Sequence, residues 1–331
     1  MQINNTHELQ ENVQVSVCVI TYQQVQYINE CLESLVNQQT DFKFEIVIRD
    51  DNSTDGTADV ILKFKQKYPT LIKLLDGSQN LGMNSNIIEV FQAAAGNYLA
   101  LCEGDDYWID NHKLQKQFDV LESHKEIDMC CHPAMIKEGV QIKQNKTLGN
   151  HGSETKVISV NEVIKNGGDF IATPSIMIRK SVISYLPEWF VTAPIGDYFI
   201  QVHGARKGGC LFLPEPMAVY RRNATNSWSA SMINFQKKRF FLEKYIRSLD
   251  VFSQELDNAY QEEFNHIKSK AYFSLALCSL MLNFKKEFKK YIQLSTELSA
   301  EFTGYQKIIY HLRFSPLAIK CLYGVAKKYL S

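Results

Sequence analysis

The sequence predicts an α/β protein, with a mostly parallel sheet flanked by helices and a helical C-terminal region. Three observations carry that prediction. Short β-branched runs alternate with amphipathic segments through the N-terminal part of the chain, which implies parallel strands joined by right-handed crossovers. Three of the runs end in polar clusters, Thr21-Tyr22, Asp50-Asp51-Asn52 and Glu103 to Asp106. From Asn234 onward almost every stretch has helical spacing.

The elements follow in order. "VSVCVIT" (Val15–Thr21) reads as a buried strand, and "YINECLESLVNQ" places Ile28, Leu32, Leu35 and Val36 at helical spacing. "FEIVIRD" is a second strand. "TADVILKFKQKY" is a helix with Val60, Ile61 and Phe64 on one face, capped by Thr54 or Asp55. "LIKLLD" (Leu71–Asp76) is a third strand, "NSNIIEVFQAAAG" a helix ending at Gly96, and "NYLALCE" a fourth strand. Beyond it, "IDMCCHPAMI", "FIATPSIMIRK" and "CLFLPEPMAVYRR" each read as a strand, while "VNEVIKN" and "DYFIQVHGARKG" read as helices. "NATNSWSASM" reads as a loop. "NHIKSKAYFSLALCSLMLNFKKEFKKYIQLSTEL" reads as a helical hairpin turning near Asn283-Phe284. This divides the chain into a domain over 1–230 and a helical region over 231–331.

Length and charge bound the function. The 331 residues suit one large domain with an appendage, and 45% hydrophobic residues suit a globular core. Thirty-six basic side chains balance 36 acidic ones, which argues against a general nucleic-acid binder. The start "MQINNTHELQENVQ" lacks the apolar core of a signal peptide, and no stretch is apolar enough for a membrane span. The eight cysteines form no C-x-x-C pair and fit reduced core residues of a cytoplasmic protein. His132, His151 and His203 have no metal-ligand spacing. G-x-G-x-x-G and Walker A motifs are absent, which speaks against a dehydrogenase or P-loop enzyme. "GGDF" (Gly167–Phe170) reads as a turn.

The chemistry gathers at the strand ends, where ligands of parallel sheets bind. In "LCEGDDYWID", Glu103, Asp105 and Asp106 fall within four positions. Such carboxylates raise one another's pKa unless a cation or donors meet them. Hard oxygen ligands suit Mg²⁺ or Mn²⁺, which bridge nucleotide phosphates, although a solvated acidic turn has the same composition. "RDDNSTDGT" fits an acidic strand-to-helix turn, or a site where Asp51 accepts a nucleobase N–H. "NLGMNSN" offers a glycine and a helix start to phosphate.

In this order these motifs resemble the family 2 glycosyltransferases of the GT-A fold, over about Val15 to Arg222. The resemblance implies a nucleotide pocket that includes Thr21, Tyr22, Asp51, Asn80, Gly82, Asn86, Glu103 and Asp105. It implies a divalent metal, Mn²⁺ or Mg²⁺, held by Asp105 and Asp106. Glu103 stands where the family's D-x-D motif has its first aspartate. Asp197, in "TAPIGDYFIQ", matches the family's catalytic base; a helix N-cap would also explain it, and Glu188, His203 and Glu215 are the alternative bases. Arg221 and Arg222 fall where the family's lid meets the diphosphate.

The implied activity is inverting transfer of a sugar from a nucleotide-diphosphate sugar, a UDP-sugar first, to a hydroxyl on a saccharide or lipid-linked saccharide, as in bacterial surface polysaccharide assembly. The implied partners are that donor and that acceptor, with no nucleic acid. The mixed aromatic, apolar and basic tail from Tyr305 to Ser331 suits peripheral contact with the inner face of the cell membrane, or packing against neighbouring helices. A sugar-nucleotide-binding pseudoenzyme and a nucleotidyltransferase are the alternative functions.

Overall fold

The computed structural model describes residues 12–139, 141–184, 186–225, 231–256, 258–298, 304–315 and 324. The chain forms two compact units, Met1–Val163 with Gly168–Ser227, and Ile164–Gly167 with Trp228–Ser331.

The first unit is built on an eight-stranded sheet, ordered β3-β2-β1-β4-β10-β6-β11-β9. Its parallel half comprises β1 (Val13–Thr21), β2 (Lys43–Asp50), β3 (Ile72–Leu74) and β4 (Tyr98–Leu101). These strands are apolar on both faces because helices cover both sides. Helix α1 (Ile28–Val36) buries Ile28, Leu32 and Leu35 fully, and they join Val15, Val17 and Val19 in one core cluster. Each such side chain contributes roughly 1.5–3 kcal/mol when buried. Helix α2 (Thr57–Lys67) buries Ile61, and α3 (Met83–Ala93) buries Ile87, Val90 and Phe91. The buried hydroxyl of Ser16 donates to Glu45 Oε1 at 2.6 Å, which also accepts from the Ala95 amide, so polar groups inside this sheet are paired.

Prolines reshape the second half. The stretch expected to form one strand over "IDMCCHPAMI" breaks at His132-Pro133 into β6 (Met129–Cys131) and β7 (Ala134–Glu138), which lie in different sheets. Likewise "CLFLPEPMAVYRR" breaks at Pro214 and Pro216 into β11 (Cys210–Phe212) and β12 (Ala218–Arg222). Proline lacks the N–H that a ladder requires. Strand β10 is confined to Met177–Arg179, preceded by a 3₁₀ turn over Thr173–Ser175. A four-stranded sheet, β5-β12-β7-β8, joins β12 and β7 to β5 (Tyr107–Trp108) and β8 (Gln141–Leu148). The short strand β9 (Lys156–Ile158) closes the far edge of the large sheet. Helices α4 (Lys113–Ser123), α5 (Val160–Asn166), α6 (Lys180–Ile183) and α7 (Asp197–Ala205) complete the order up to the second unit.

The second unit carries α8 (Phe235–Glu255), α9 (Gln261–Met281), α10 (Lys285–Leu298) and α11 (Gly304–Leu312). The expected hairpin is present: α9 and α10 turn at Asn283, whose φ of 64° is the left-handed conformation that asparagine tolerates. Among the described residues no helix is long and apolar enough to cross a membrane. The expected loop "NATNSWSASM" falls partly on residues 226–230, outside the described residues, as does most of the tail beyond 315.

Candidate active site

The carboxyl ends of β1, β2 and β4 lie side by side because the strands are parallel and in register, with Thr21 opposite Asp50. The loops leaving them are joined by side chains distant in sequence. The Gln23 amide donates to Ser53 Oγ (2.8 Å), the Gln24 amide to Thr57 Oγ1 (2.9 Å), and the Val25 amide to Asp55 Oδ2 (3.0 Å). Asp50 folds the second loop back by accepting from the Ser53 amide and hydroxyl. The S-T-D-G-T run is therefore the clasp for the loop after β1. Within it the Thr21 hydroxyl is buried and bonds Gln24 Oε1 at 2.7 Å, while Tyr22 is exposed.

Asp51, expected either in an acidic turn or as an acceptor for a nucleobase N–H, has its carboxylate enclosed by the protein's own donors. It is only 4% exposed. Its Oδ1 accepts from Arg49 Nη1 (2.9 Å) and the Leu81 amide (2.7 Å), and its Oδ2 from the Gly82 amide (2.9 Å). Arg49 also donates to Asn86 Oδ1 and the Gln79 carbonyl, and Asn80 Nδ2 donates to the Asp51 carbonyl. A buried carboxylate takes whatever donors are within reach, so Asp51 organises the "NLGMNSN" loop into which Asn80, Gly82 and Asn86 fall. Arg49 is the residue that binds this set together, and its role was not expected from the sequence.

The acidic motif follows β4. A Cβ on Gly104 would stand 2.5 Å from Gln24 Oε1 and 2.7 Å from Thr21 Oγ1, so only glycine fits between the carboxylates. Burial pushes the Glu103 carboxyl up to about 8, with Asp105 and Asp197 adding repulsion. Asp105 is pushed up to about 6 by burial, opposed by its own amide, the Arg221 charge and a hydrogen bond from Gln24. Burial, with repulsion from Asp105 and Glu103, raises Asp106 well above the usual carboxylate range. Asp106 Oδ1 accepts from the Arg221 amide at 2.8 Å, whereas Oδ2 is buried with no hydrogen-bond partner.

That orphaned oxygen and this repulsion are what a cation would relieve. Among the described residues no group of three or more His, Cys, Asp or Glu side chains is arranged to hold a metal. The two aspartates suit a divalent ion only as partial ligands, the remainder coming from a phosphate-bearing ligand.

Arg221 departs from its expected place on the diphosphate. It is buried, its guanidinium is ion-paired with Glu30, and it lies 5.0 Å and 4.9 Å from the ring centroids of Tyr27 and Tyr107. The aromatic faces and the carboxylate turn it inward. Arg222, the last residue of β12, is half-buried and without that enclosure. The chain then returns to Tyr27, whose hydroxyl accepts from the Thr225 amide at 3.1 Å.

Asp197 opens α7, but Gly196 is the N-cap, so the carboxylate is not the capping group. Its Oδ1 accepts from the Tyr198 amide and its Oδ2 from Thr173 Oγ1 at 3.4 Å. The N-terminus of a helix favours an ionised carboxylate. Burial instead raises its pKa, opposed by the Tyr198 amide and reinforced by Asp169. Asn84 fixes the segment before it, donating from Nδ2 to the carbonyls of Phe190 and Ala193, both at 2.8 Å. Tyr220 stands among the same acids: burial, Asp106, Glu103, Asp169 and Asp105 all raise its phenol.

Of the alternative bases, Glu215 is exposed and ion-paired with Lys116, and His203 is buried beside a cavity of about 400 Å³ shared with Asp128 and Arg206. Asp128 precedes β6, level with the amino end of β4 and so at the opposite end of the strands from the acidic motif. Asn84, within "NLGMNSN", and Tyr220, beside Arg221, were not singled out from the sequence, because their partners lie far along the chain.

A mixed α/β sheet with polar clusters at its strand ends is a frame that places ligands beyond the carboxyl ends of the strands. Residues 16–186 match the family described as glycosyl transferase family 2, and the chain belongs to that family. An uncharacterized protein of Mycobacterium tuberculosis is 36% identical over 225 residues, 67% of this chain and 63% of its own length. The match thus spans less than two thirds of that relative. The abequosyltransferase RfbV of Salmonella typhimurium is 24% identical over 222 residues, 62% of this chain and 66% of that protein. The poly(ribitol-phosphate) beta-glucosyltransferase of Bacillus spizizenii is 30% identical over 96 residues, 29% of this chain and 15% of that protein.

The fold is that of GT-A glycosyltransferases. S. aureus TarS in complex with UDP has a TM-score of 0.61 at 19% identity, covering 96% of this chain and 90% of that one. The mannosyltransferase PcManGT of Pyrobaculum calidifontis, in complex with GDP-Man and Mn²⁺, has a TM-score of 0.56 at 13% identity, covering 99% and 87%.

Proposed function

We propose that the chain moves a sugar from a nucleoside diphosphate sugar, a UDP-sugar first among them, to an acceptor hydroxyl with inversion at the anomeric carbon. The observation that carries this is geometric: Asp197, at the head of α7, bonds Thr173 in the turn that leads into β10, the strand paired with β4, and β4 delivers Glu103 to Asp106. A carboxylate suited to the donor and one suited to the acceptor therefore share one small space.

In this reading Asp51, Arg49 and Asn86 shape the base pocket through the loop that holds Asn80 and Gly82. Thr21 fixes the rim, and the exposed ring of Tyr22 lies against the nucleotide. Asp105 and Asp106 would hold Mn²⁺ or Mg²⁺ as partial ligands, with Glu103 beside them on the donor. A divalent ion bound there would supply Lewis-acid stabilisation of the leaving diphosphate. Arg222 offers that diphosphate a second cation. Asp197 takes the acceptor proton as the new C–O bond forms at the anomeric carbon and the bond to the diphosphate breaks. Its raised pKa brings the base nearer to neutral pH, where proton transfer is most effective.

The name of the Bacillus relative, a poly(ribitol-phosphate) beta-glucosyltransferase, supports a polymer acceptor; in this reading the acceptor is a saccharide or lipid-linked saccharide of surface polysaccharide assembly, met at the cytoplasmic face of the membrane. Residues 1–230 make the catalytic domain and 231–331 an appended helical region.

The test is release of nucleoside diphosphate from a panel of UDP- and GDP-sugars in Mn²⁺ and in excess chelator, with Asp197→Asn as the variant. Expected are release that the chelator abolishes, and a variant that binds donor normally but turns over ~10²–10⁴-fold more slowly. Conversion of the same donors, with added pyrophosphate, to nucleoside triphosphate and sugar phosphate would make the protein a nucleotidyltransferase. Tight donor binding without release would make it a pseudoenzyme.

A further inference from the structure

The zero net charge of the chain is a cancellation of two opposite halves. Residues 228–331 hold 16 lysines and arginines against 9 aspartates and glutamates, a net charge of +7, so residues 1–227 carry −7. The basic half is the second unit, and its cations stand among exposed aromatic rings.

On α8 the exposed residues Lys237, Phe240, Lys244, Arg247 and Val251 recur every three or four positions. That spacing places them on one stripe. The opposite side of the helix buries Leu242, Tyr245, Ile246 and Leu249. Lys244 Nζ lies 4.7 Å from the Phe240 ring centroid, and the Arg239 guanidinium lies 4.7 Å from that of Phe284 at the end of the α9–α10 turn. Helix α10 continues the pattern outward with Lys285, Lys286, Lys289 and Lys290, all exposed, while Phe288 and Ile292 face inward. Lys289 Nζ then reaches Phe314, at 4.9 Å, just beyond α11. Phe240 is 60% exposed and Phe314 64%.

Soluble proteins rarely leave several large rings uncovered along one connected surface. A soluble polyanion would satisfy the lysines but give the phenyl rings nothing to bury against. A second copy of this chain would bring the same positive charge to itself. An anionic bilayer meets both needs: the rings enter the headgroup–acyl boundary and the cations meet lipid phosphates. We propose that this face of the second unit, running from α8 over the α9–α10 turn to the end of α11, docks on an anionic lipid surface. The inference stands independently of the proposed reaction.

The test is cosedimentation of the full chain with vesicles of phosphatidylcholine alone or with one third phosphatidylglycerol. Binding is expected to the anionic vesicles at low salt, to weaken in high salt, and to be slight on the neutral ones. Phe240→Ser with Phe314→Ser, and separately Lys285→Glu with Lys289→Glu, should each weaken it by about tenfold or more, with unchanged circular dichroism and melting temperature. No binding at low salt, equal binding to both vesicle types, or variants that bind like the parent would overturn the proposal. So would soluble polyphosphate binding as tightly as vesicles and indifferent to the phenylalanine pair. A lipid-free dimer that the same pair dissociates would assign the face to a second copy instead.

Discussion

Glu103 binds a proton in the folded chain that it would release in the unfolded one. Its carboxyl is raised from 4.5 to about 8 by burial and by its acidic neighbours. The folded state therefore binds more protons than the unfolded state between those values. The resulting stability is fully present below about pH 4.5 and is lost as pH rises towards 8. Asp105, raised from 3.8 to about 6, acts in the same direction over a lower window. In chelator, the melting temperature of the parent should fall between pH 5 and 8 by more than that of Glu103→Gln, which cannot ionise. Mn²⁺ with nucleoside diphosphate should restore more stability at pH 8 than at pH 5. Scanning fluorimetry reads both effects, and identical pH slopes for parent and variant would show that Glu103 ionises freely.

The turn before α7 depends on α3. Asn84→Ala would leave the Phe190 and Ala193 carbonyls without their 2.8 Å donor, and each buried acceptor left unmade costs about 1–3 kcal/mol. We expect a destabilisation of that order by chemical denaturation. Nucleotide binding should be preserved and turnover lowered, because the displaced segment leads into Asp197. Equal losses in binding and turnover would place Asn84 on the donor side instead. Such couplings show how far the sequence could be read. The helices α1 and α2 and the parallel strands β1, β2 and β4 were legible because their periodicity is local. The strand changes at His132-Pro133 and between Pro214 and Pro216 were not, since an apolar run looks the same when it crosses from one sheet to another. Strand β8, "QIKQNKTL", lies at a sheet edge and lacks an apolar pattern. The acidic motif stood out through its composition. The enclosure of Asp51 by Arg49 and of Arg221 by Glu30 did not, because partners that distant leave no trace in spacing.

Among the described residues seven cysteines, from Cys18 in β1 to Cys278 in α9, are buried as free thiols. Cys131 and Cys210 approach within 3.4 Å, and burial raises the thiols of Cys18, Cys130, Cys210 and Cys278. Thiolates are the reactive form, so a small disulfide reagent should label these seven only as fast as the protein opens. Mass spectrometry after brief native labelling checks this, and rapid modification of Cys31 or Cys102 would reveal opening beside the acidic motif. The clasp between Gln23–Val25 and Ser53–Thr57 has a consequence of the same reach. Freezing a loop residue costs about 1–2 kcal/mol of conformational entropy. Here that cost is met during folding, so the pocket rim awaits its ligand already shaped, and association need not be diminished by ordering the receptor.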